Sequence, residues 1–233
     1  MNKLAHATVG LLERKWLKTA TVLAIRVWDP ATFFEVDLHL PDCDMSKWRE
    51  VHHMKCRVAP MVYRDYTSSG WDEETRTCTL FIDAGHEGQG SRWVKGLKVG
   101  DKVSYPGISS SHHQPASGKR LVFLGDETTI GHFFALHQLA GKQARVEGAI
   151  VLAHKHHQHE FSEYFSHLGL QTLDKDGKGK YGQLEKWVGE LRADEGDAVF
   201  YLAGYSPAVV RLRRLLKGKG FAGSQIRAQG FWD

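Results

Sequence analysis

The densest run of residues able to do chemistry is Arg64-Asp65-Tyr66-Thr67-Ser68-Ser69. It puts a fixed cation, a flat phenol and several hydroxyls on one short stretch. In an extended strand successive side chains alternate, so Arg64, Tyr66 and Ser68 share one face while Asp65, Thr67 and Ser69 share the other. A guanidinium suits phosphate oxygens, a phenol can lie against a polycyclic ring, and Thr67 with the backbone can hydrogen-bond the ring edge. A ligand that joins a planar ring to a diphosphate is served by such a run. An ordinary edge strand has the same composition.

Three glycine-bearing turns fit the same ligand chemistry. Gly88-Gln89-Gly90-Ser91 leads into Arg92-Trp93-Val94; glycine lets the backbone approach a phosphate closely, and a helix beginning here presents free amides to an anion. Gly125-Asp126-Glu127-Thr128 follows the apolar run Leu121 to Leu124, at a strand end where a dinucleotide would bind, without the full glycine fingerprint. Gly204-Tyr205-Ser206-Pro207 opens a helix carrying Arg211, Arg213 and Arg214, which meets phosphate or forms a solvated basic face. His154, His156, His157 and His159 cluster after another strand pattern. There His154, Lys155 and His156 could hold a ribose phosphate and favour NADPH, the histidines could hold a transition metal, or the run is an exposed polar loop. Asp174, Asp176, Gly179 and Glu185 match the first, third, sixth and twelfth positions of a calcium loop, with Lys178 where the fifth ligand belongs.

These residues need elements to hold them. At 233 residues, 42% hydrophobic and 25% charged, the chain is of ordinary globular composition and suffices for one large or two small domains. A net charge of +4 suits an anionic ligand such as a nucleotide as well as it suits nucleic acid. No apolar run reaches membrane-spanning length, and Glu13, Arg14, Lys15 and Lys18 interrupt the N-terminal segment, so a cytoplasmic location is expected, with neither nucleic acid nor membrane as partner. Cys43, Cys56 and Cys78 lack metal-type spacing and read as reduced thiols.

Strand patterns recur at Ala20 to Trp28, Phe34 to Leu40, His53 to Ala59, Met61 to Ser68, Arg76 to Ile82 and Lys102 to Pro106. Short strands separated by turn signals predict an antiparallel barrel or sandwich. After the Ser, His, Gly and Pro-rich stretch Ser109 to Lys119 the texture changes: strands at 120–125, 146–153 and 198–203 alternate with helices at 130–139, 160–168, 183–191 and 208–216. Ser206 reads as the N-cap of the last helix and Pro207 as its first residue. This alternation predicts a parallel sheet with ligands at the carboxyl ends of its strands. The expected organisation is an antiparallel β-barrel domain over 1–115 and an α/β domain over 116–233.

Taken in order, Arg64-x-Tyr66-Thr67, Gly88-x-x-Ser91-Arg-Trp93, Gly-Asp-Glu-Thr128, Ala-Gly204 before an arginine-rich helix, and Gly230-Phe231-Trp232 resemble the siderophore-interacting proteins, ferric-siderophore reductases of the ferredoxin-reductase superfamily. The resemblance covers about Lys15 to Asp233. It implies an FAD-binding barrel followed by an NAD(P)H-binding α/β domain, and transfer of reducing equivalents from NADPH or NADH through FAD to the ferric iron of a siderophore. No side-chain catalyst is implied, because the flavin carries the chemistry. Arg64 would meet the flavin phosphates, Tyr66 would pack on the isoalloxazine, and Thr67 would bond its redox-active edge. Gly90 and Ser91 would hold the pyrophosphate, with Trp93 beside them, while Thr128, Gly204 and Trp232 would serve the nicotinamide side.

Three positions depart from the family pattern. Ser69 stands where a second arginine is usual, Ala84 where a histidine is usual, with His86 near enough to substitute, and Gly131 where a proline is usual. These departures leave two alternatives open: a binding module on the same fold that has lost flavin, and, from the loop at 174–185, a calcium-regulated protein.

Overall fold

The computed structural model describes residues 16–175, 181–192 and 197–233. They form two compact units. One holds Ala31–His112 with the described residues before Trp28; the other holds Trp28–Pro30 and His113–Asp233.

The first unit is a seven-stranded antiparallel sheet in the order β6-β1-β2-β5-β4-β3-β7. Its strands are β1 (Lys18–Trp28), β2 (Phe33–His39), β3 (His52–Ala59), β4 (Val62–Asp72), β5 (Thr77–Asp83), β6 (Lys102–Tyr105) and β7 (Ile108–Ser110). Only Pro106-Gly107 separates β6 from β7, yet β6 pairs with β1 and β7 pairs with β3 at the opposite edge. One bent segment therefore curls the sheet round into a nearly closed barrel, with β6 and β7 as its two end strands. β2 shows why the barrel fills: Phe34, Val36 and Leu38 are buried, while Glu35, Asp37 and His39 between them stay half-buried on the other face. Met54, Cys56, Cys78, Leu80 and Ile82 complete that interior. Helix α1 (Gln89–Gly96) packs against it through Val94.

The second unit is a five-stranded sheet in the order β10-β9-β8-β11-β12, made of β8 (Arg120–Asp126), β9 (Val146–Leu152), β10 (Leu170–Asp174), β11 (Ala198–Tyr205) and β12 (Ile226–Trp232). Every pairing is parallel. Helices α2 (Ile130–Ala140), α3 (Lys155–Phe165), α4 (Gly182–Glu190) and α5 (Ser206–Gly218) connect the strands. β11 is buried from Ala198 to Gly204, as a strand covered on both faces must be. Chain order reverses between β8 and β11, which makes the carboxyl ends of these two strands the switch point where ligands bind in such sheets. Trp28 is fully buried here, with its ring edge-on to His157 at 5.6 Å and 6.1 Å from Phe165.

Several elements differ from expectation. β7 lies where the sequence reads as linker: Ile108-Ser109-Ser110 carries almost no hydrophobic signal, and pairing with β3 alone makes it a strand. β10 and β12 are edge strands whose polar and glycine residues hide them from periodicity. The histidine run is the first turn of α3 rather than a loop, because the helix begins at Lys155. Ser206 does not cap α5; its hydroxyl donates to the Trp232 carbonyl at 2.8 Å, while Pro207 does occupy the first turn. Among the described residues no helix is long and apolar enough to cross a membrane.

Burial pushes the Cys78 thiol up to about 12 and the Cys56 thiol well above its ordinary value. Thiolate is the reactive form. Iodoacetamide at pH 8 should therefore leave Cys56 and Cys78 unmodified in the folded protein, with half-buried Cys43 reacting slowly, and should modify all three cysteines in guanidinium chloride. Mass spectrometry reads the result, and rapid labelling of Cys56 or Cys78 in the folded protein would show that the barrel interior is open.

Candidate functional site

β4 presents the Arg64 to Ser69 run. Its register with β3 sets Tyr66 opposite Met54, Arg64 opposite Cys56, Asp65 opposite Lys55 and Thr67 opposite His53. Directly opposed residues share a face, so Arg64 and Tyr66 lie on the side of Met54 and Cys56. Asp65 faces the other way and pairs with Lys55 at 2.8 Å. Alternation thus holds as far as Thr67, which is half-buried. The pairing of β4 with β5 then shifts between Ser69 and Asp72, and Ser68 and Ser69 are both fully buried.

α1 brings the second motif to the first. A Cβ added at Gly90 would lie 2.5 Å from the Tyr66 hydroxyl and 3.6 Å from Cγ of Arg64, so only glycine lets the helix start pass this close. One turn on, Trp93 stacks on Tyr66, with ring centroids 5.9 Å apart and planes 14° off parallel. Gly88 is the N-cap and supplies no side-chain cap, which leaves the first amides of α1 open to an anion. Ser91 lies in the first turn with its hydroxyl 3.4 Å from Nδ1 of exposed His86. Arg64 is exposed; its guanidinium donates to the Tyr63 carbonyl at 2.8 Å, and among the described residues no carboxylate pairs with it. Burial holds the Tyr66 phenol well above its ordinary pKa, so it remains a hydroxyl donor. Arg64, Tyr66, His86, Gly90, Ser91 and Trp93 therefore form one constellation. An uncapped helix start, a guanidinium with no carboxylate partner among the described residues and a side-chain-free surface at Gly90 have the chemistry that a diphosphate joined to a flat ring would need.

The departures from the family pattern have structural counterparts. Ser69 donates to the Thr79 carbonyl at 3.1 Å inside the barrel, so a cation is not presented from this position. Ala84 is buried and its amide donates to Thr32 at 2.7 Å, whereas His86 reaches the Ser91 side of the constellation. Gly131 lies buried in the first turn of α2.

In the second unit, Thr128 and Gly204 meet at Asp126. The Asp126 carboxylate accepts from the Thr128 amide at 3.0 Å and hydroxyl at 2.5 Å, from the Tyr205 amide at 3.0 Å and from the Tyr181 hydroxyl at 3.1 Å. Gly204 has φ of 102°, and a Cβ there would lie 2.5 Å from Asp126 Oδ2. Tyr205 stacks on Tyr181 at 5.2 Å and lies 4.6 Å from Trp232, giving a row of three rings at the strand ends. Glu127 turns the other way: its Oε2 accepts from the Ala153 amide at 3.1 Å and lies 2.8 Å from Nδ1 of buried His157. In the sequence Asp126, Glu127 and Tyr205 stand out only as members of their turns and His157 only as a candidate transition-metal ligand, and Tyr181 does not stand out. The available signal was two acidic residues directly after an apolar strand.

His154 is the uncapped N-cap of α3, with its ring 4.9 Å from His157, and exposed His156 lies 3.4 Å from Asp29. Among the described residues no group of three metal-ligating side chains comes together. The calcium-loop residues Asp176 and Gly179 lie outside the described residues. Of the others, Asp174 accepts from Gln158 at 2.7 Å and Glu185 pairs with Arg211 at 2.9 Å.

The residues described above are carried by a nearly closed antiparallel barrel and a parallel sheet in the order β10-β9-β8-β11-β12. The model of the siderophore-interacting protein family matches residues 118–233. Through that C-terminal half the chain belongs to the siderophore-interacting protein family. Similar solved structures include the siderophore-interacting protein of Acinetobacter baumannii, 17% identical with a TM-score of 0.77 over 93% of this chain and 90% of that one. The siderophore-interacting protein of Aeromonas hydrophila is 18% identical, with a TM-score of 0.71 over 93% and 91%. The ferredoxin reductase of carbazole 1,9a-dioxygenase is also 18% identical, with a TM-score of 0.73 over 93% of this chain and 69% of that chain. A search of curated protein sequences found no match.

Replacing Gly90 by Ala puts a methyl group into the Tyr66 hydroxyl. We expect a loss of about 1–3 kcal/mol, as for overpacking elsewhere, together with an altered near-ultraviolet circular dichroism signal from the Tyr66–Trp93 stack. Unchanged stability and spectrum would mean that Tyr66 swings aside without cost.

Burial raises the Asp126 pKa against four hydrogen bonds that lower it. The folded state thus holds this proton more tightly than the unfolded state does. Its contribution to stability is complete below about pH 4, the unfolded value, and is lost as pH rises through the higher folded value. Asp126→Asn removes that dependence. In urea titrations the stability of the wild type relative to Asp126→Asn should fall with rising pH, by up to about 1.4 kcal/mol per pH unit; parallel curves would contradict the direction of the shift.

Proposed function

We propose that the chain is a flavin-type reductase that uses FAD and a nicotinamide nucleotide to reduce the ferric iron of a siderophore. Family membership and the ferredoxin-reductase-like fold support the reductase role. The observation that carries the reading is the meeting of Arg64, Tyr66 and the uncapped start of α1 across Gly90. A cation, a phenol and open helix amides can together serve a diphosphate joined to a flat ring.

When bound, FAD would supply hydride acceptance from the nicotinamide nucleotide and one-electron delivery to iron. The chain's own residues bind and orient. Arg64 neutralises a phosphate, the amides of Gly90 and Ser91 hold the pyrophosphate, and Tyr66, backed by Trp93, offers a ring face. His86 adds a donor beside Ser91, and the backbone of Thr67, whose side chain lies on the face of β4 opposite Tyr66, bonds the ring edge. In the second unit Thr128, Gly204 and Trp232 line the nicotinamide side of the switch point, and His154 with His156 serves the adenosine ribose phosphate at the start of α3, which favours NADPH over NADH. The ferric siderophore is substrate. Ferrous iron carries less charge and is held less tightly by oxyanion ligands, so reduction releases it.

The purified protein should take up FAD and show an oxidised-flavin absorption that bleaches on addition of NADPH without oxygen. Arg64→Ala should weaken FAD at least about tenfold, the scale of a lost charge-assisted hydrogen bond. Absence of flavin uptake under any condition would favour a binding module that has lost the cofactor, a reading motivated by the buried, uncharged Ser69.

A further inference from the structure

The pairing of β8 with β11 runs from Ala198↔Arg120 to Leu202↔Leu124 and stops. Beyond that point the two strands part company: β8 stays with β9 as far as Asp126↔Val151, and β11 stays with β12 through Gly204↔Gly230. The backbone ladder between β8 and β11 therefore stops short of their carboxyl ends and leaves a gap in the pairing there. The carboxylate of Asp126 spans it by accepting from the Tyr205 amide and the Tyr181 hydroxyl. Gly204 makes the approach possible, since any side chain there would collide with Asp126. On the other side of β8, Glu127 reaches the Ala153 amide after β9 and His157 in the first turn of α3.

Neither carboxylate is disposed to touch an anionic nucleotide. Asp126 is buried with four donors on its two oxygens, and Glu127 is buried against an amide and a ring nitrogen. Their chemistry is that of spacers. Adjacent in sequence, they act toward opposite ends of a ligand lying across the strand ends: Asp126 toward Thr128, Gly204 and the Tyr181–Tyr205–Trp232 row, Glu127 toward the start of α3 that carries His154, Lys155 and His156.

We propose that Asp126 and Glu127 are positioning residues that set the two halves of the nicotinamide-nucleotide crevice separately, Asp126 the nicotinamide half and Glu127 the adenosine half. This rests on the reading of the second unit as the nicotinamide-nucleotide domain. Calorimetric binding to the full chain saturated with FAD tests it, using oxidised NADP+ and NAD+ so that no hydride moves, each against its own adenosine half, 2′,5′-ADP or 5′-ADP. Asp126→Asn should weaken the preferred dinucleotide about tenfold and leave its adenosine half within about twofold, whereas Glu127→Gln should weaken both about tenfold. Tyr181→Phe, which removes one donor from Asp126, and His157→Asn, which removes the ring facing Glu127, should reproduce the two patterns at about threefold and keep the test open if a carboxylate variant fails to fold. Equal weakening of dinucleotide and fragment by Asp126→Asn, or a spared fragment with Glu127→Gln, would overturn the assignment. Wild-type protein that binds none of the four ligands would overturn the nucleotide reading itself, and the inference with it.

Discussion

A carboxylate removed from water must find donors, and in the second unit the donors found by Asp126 and Glu127 hold the functional end of the sheet together. In open parallel sheets ligands bind outside the carboxyl ends of the strands at the switch point, and there the β8–β11 ladder has already ended. Two consecutive side chains at the end of one strand supply bonds toward both neighbouring strands, Asp126 to Tyr205 at the end of β11 and Glu127 to Ala153 after β9. Gly204 is a consequence of this arrangement, since it yields its side-chain volume to Asp126 Oδ2.

The barrel solves a related problem with shape. A helix start offered to a phosphate is useful only if its amides are uncapped and approachable, and both conditions hold at Gly88 and Gly90. The helix is held against β4 by the stacking of its own Trp93 on Tyr66, and Arg64 lies on the same face of the strand as Tyr66. Position 69, where a second cation would be expected, is committed to the barrel interior by its bond to Thr79. The phosphate charge of a bound dinucleotide would then fall on Arg64 and the helix start, which makes this arginine's contribution larger than in a site with two.

Much of the architecture was legible because its signals are local. Phe34, Val36 and Leu38 alternate with polar residues, β11 is a continuous apolar run, and Pro207 marks the start of α5, so strands, helices and fold class followed from periodicity and punctuation. The missed elements draw their identity from partners. Ile108–Ser110 is a strand because β3 needs a neighbour, and β12 because β11 does. In the site, Arg64, Tyr66 and the glycine turn could be found as residue types. What no sequence pattern states is that Gly90 abuts Tyr66, that Ser206 bonds Trp232 instead of capping its helix, or that His157 in an apparent polar run is buried against Glu127. Each of these depends on residues about twenty-five or more positions apart meeting in space.

The bent β6–β7 segment also bears on how the chain can be made. β1 emerges first from the ribosome, but its barrel partner β6 lies at Lys102–Tyr105, and Trp28 at the end of β1 packs on residues as late as Phe165. Until those segments exist, β1 has an open edge and an exposed indole. Such long-range closure slows folding and leaves an aggregation-prone intermediate during synthesis. The barrel thus precedes the parallel sheet in sequence, yet β1 gains its second neighbour only once Lys102–Tyr105 has been made.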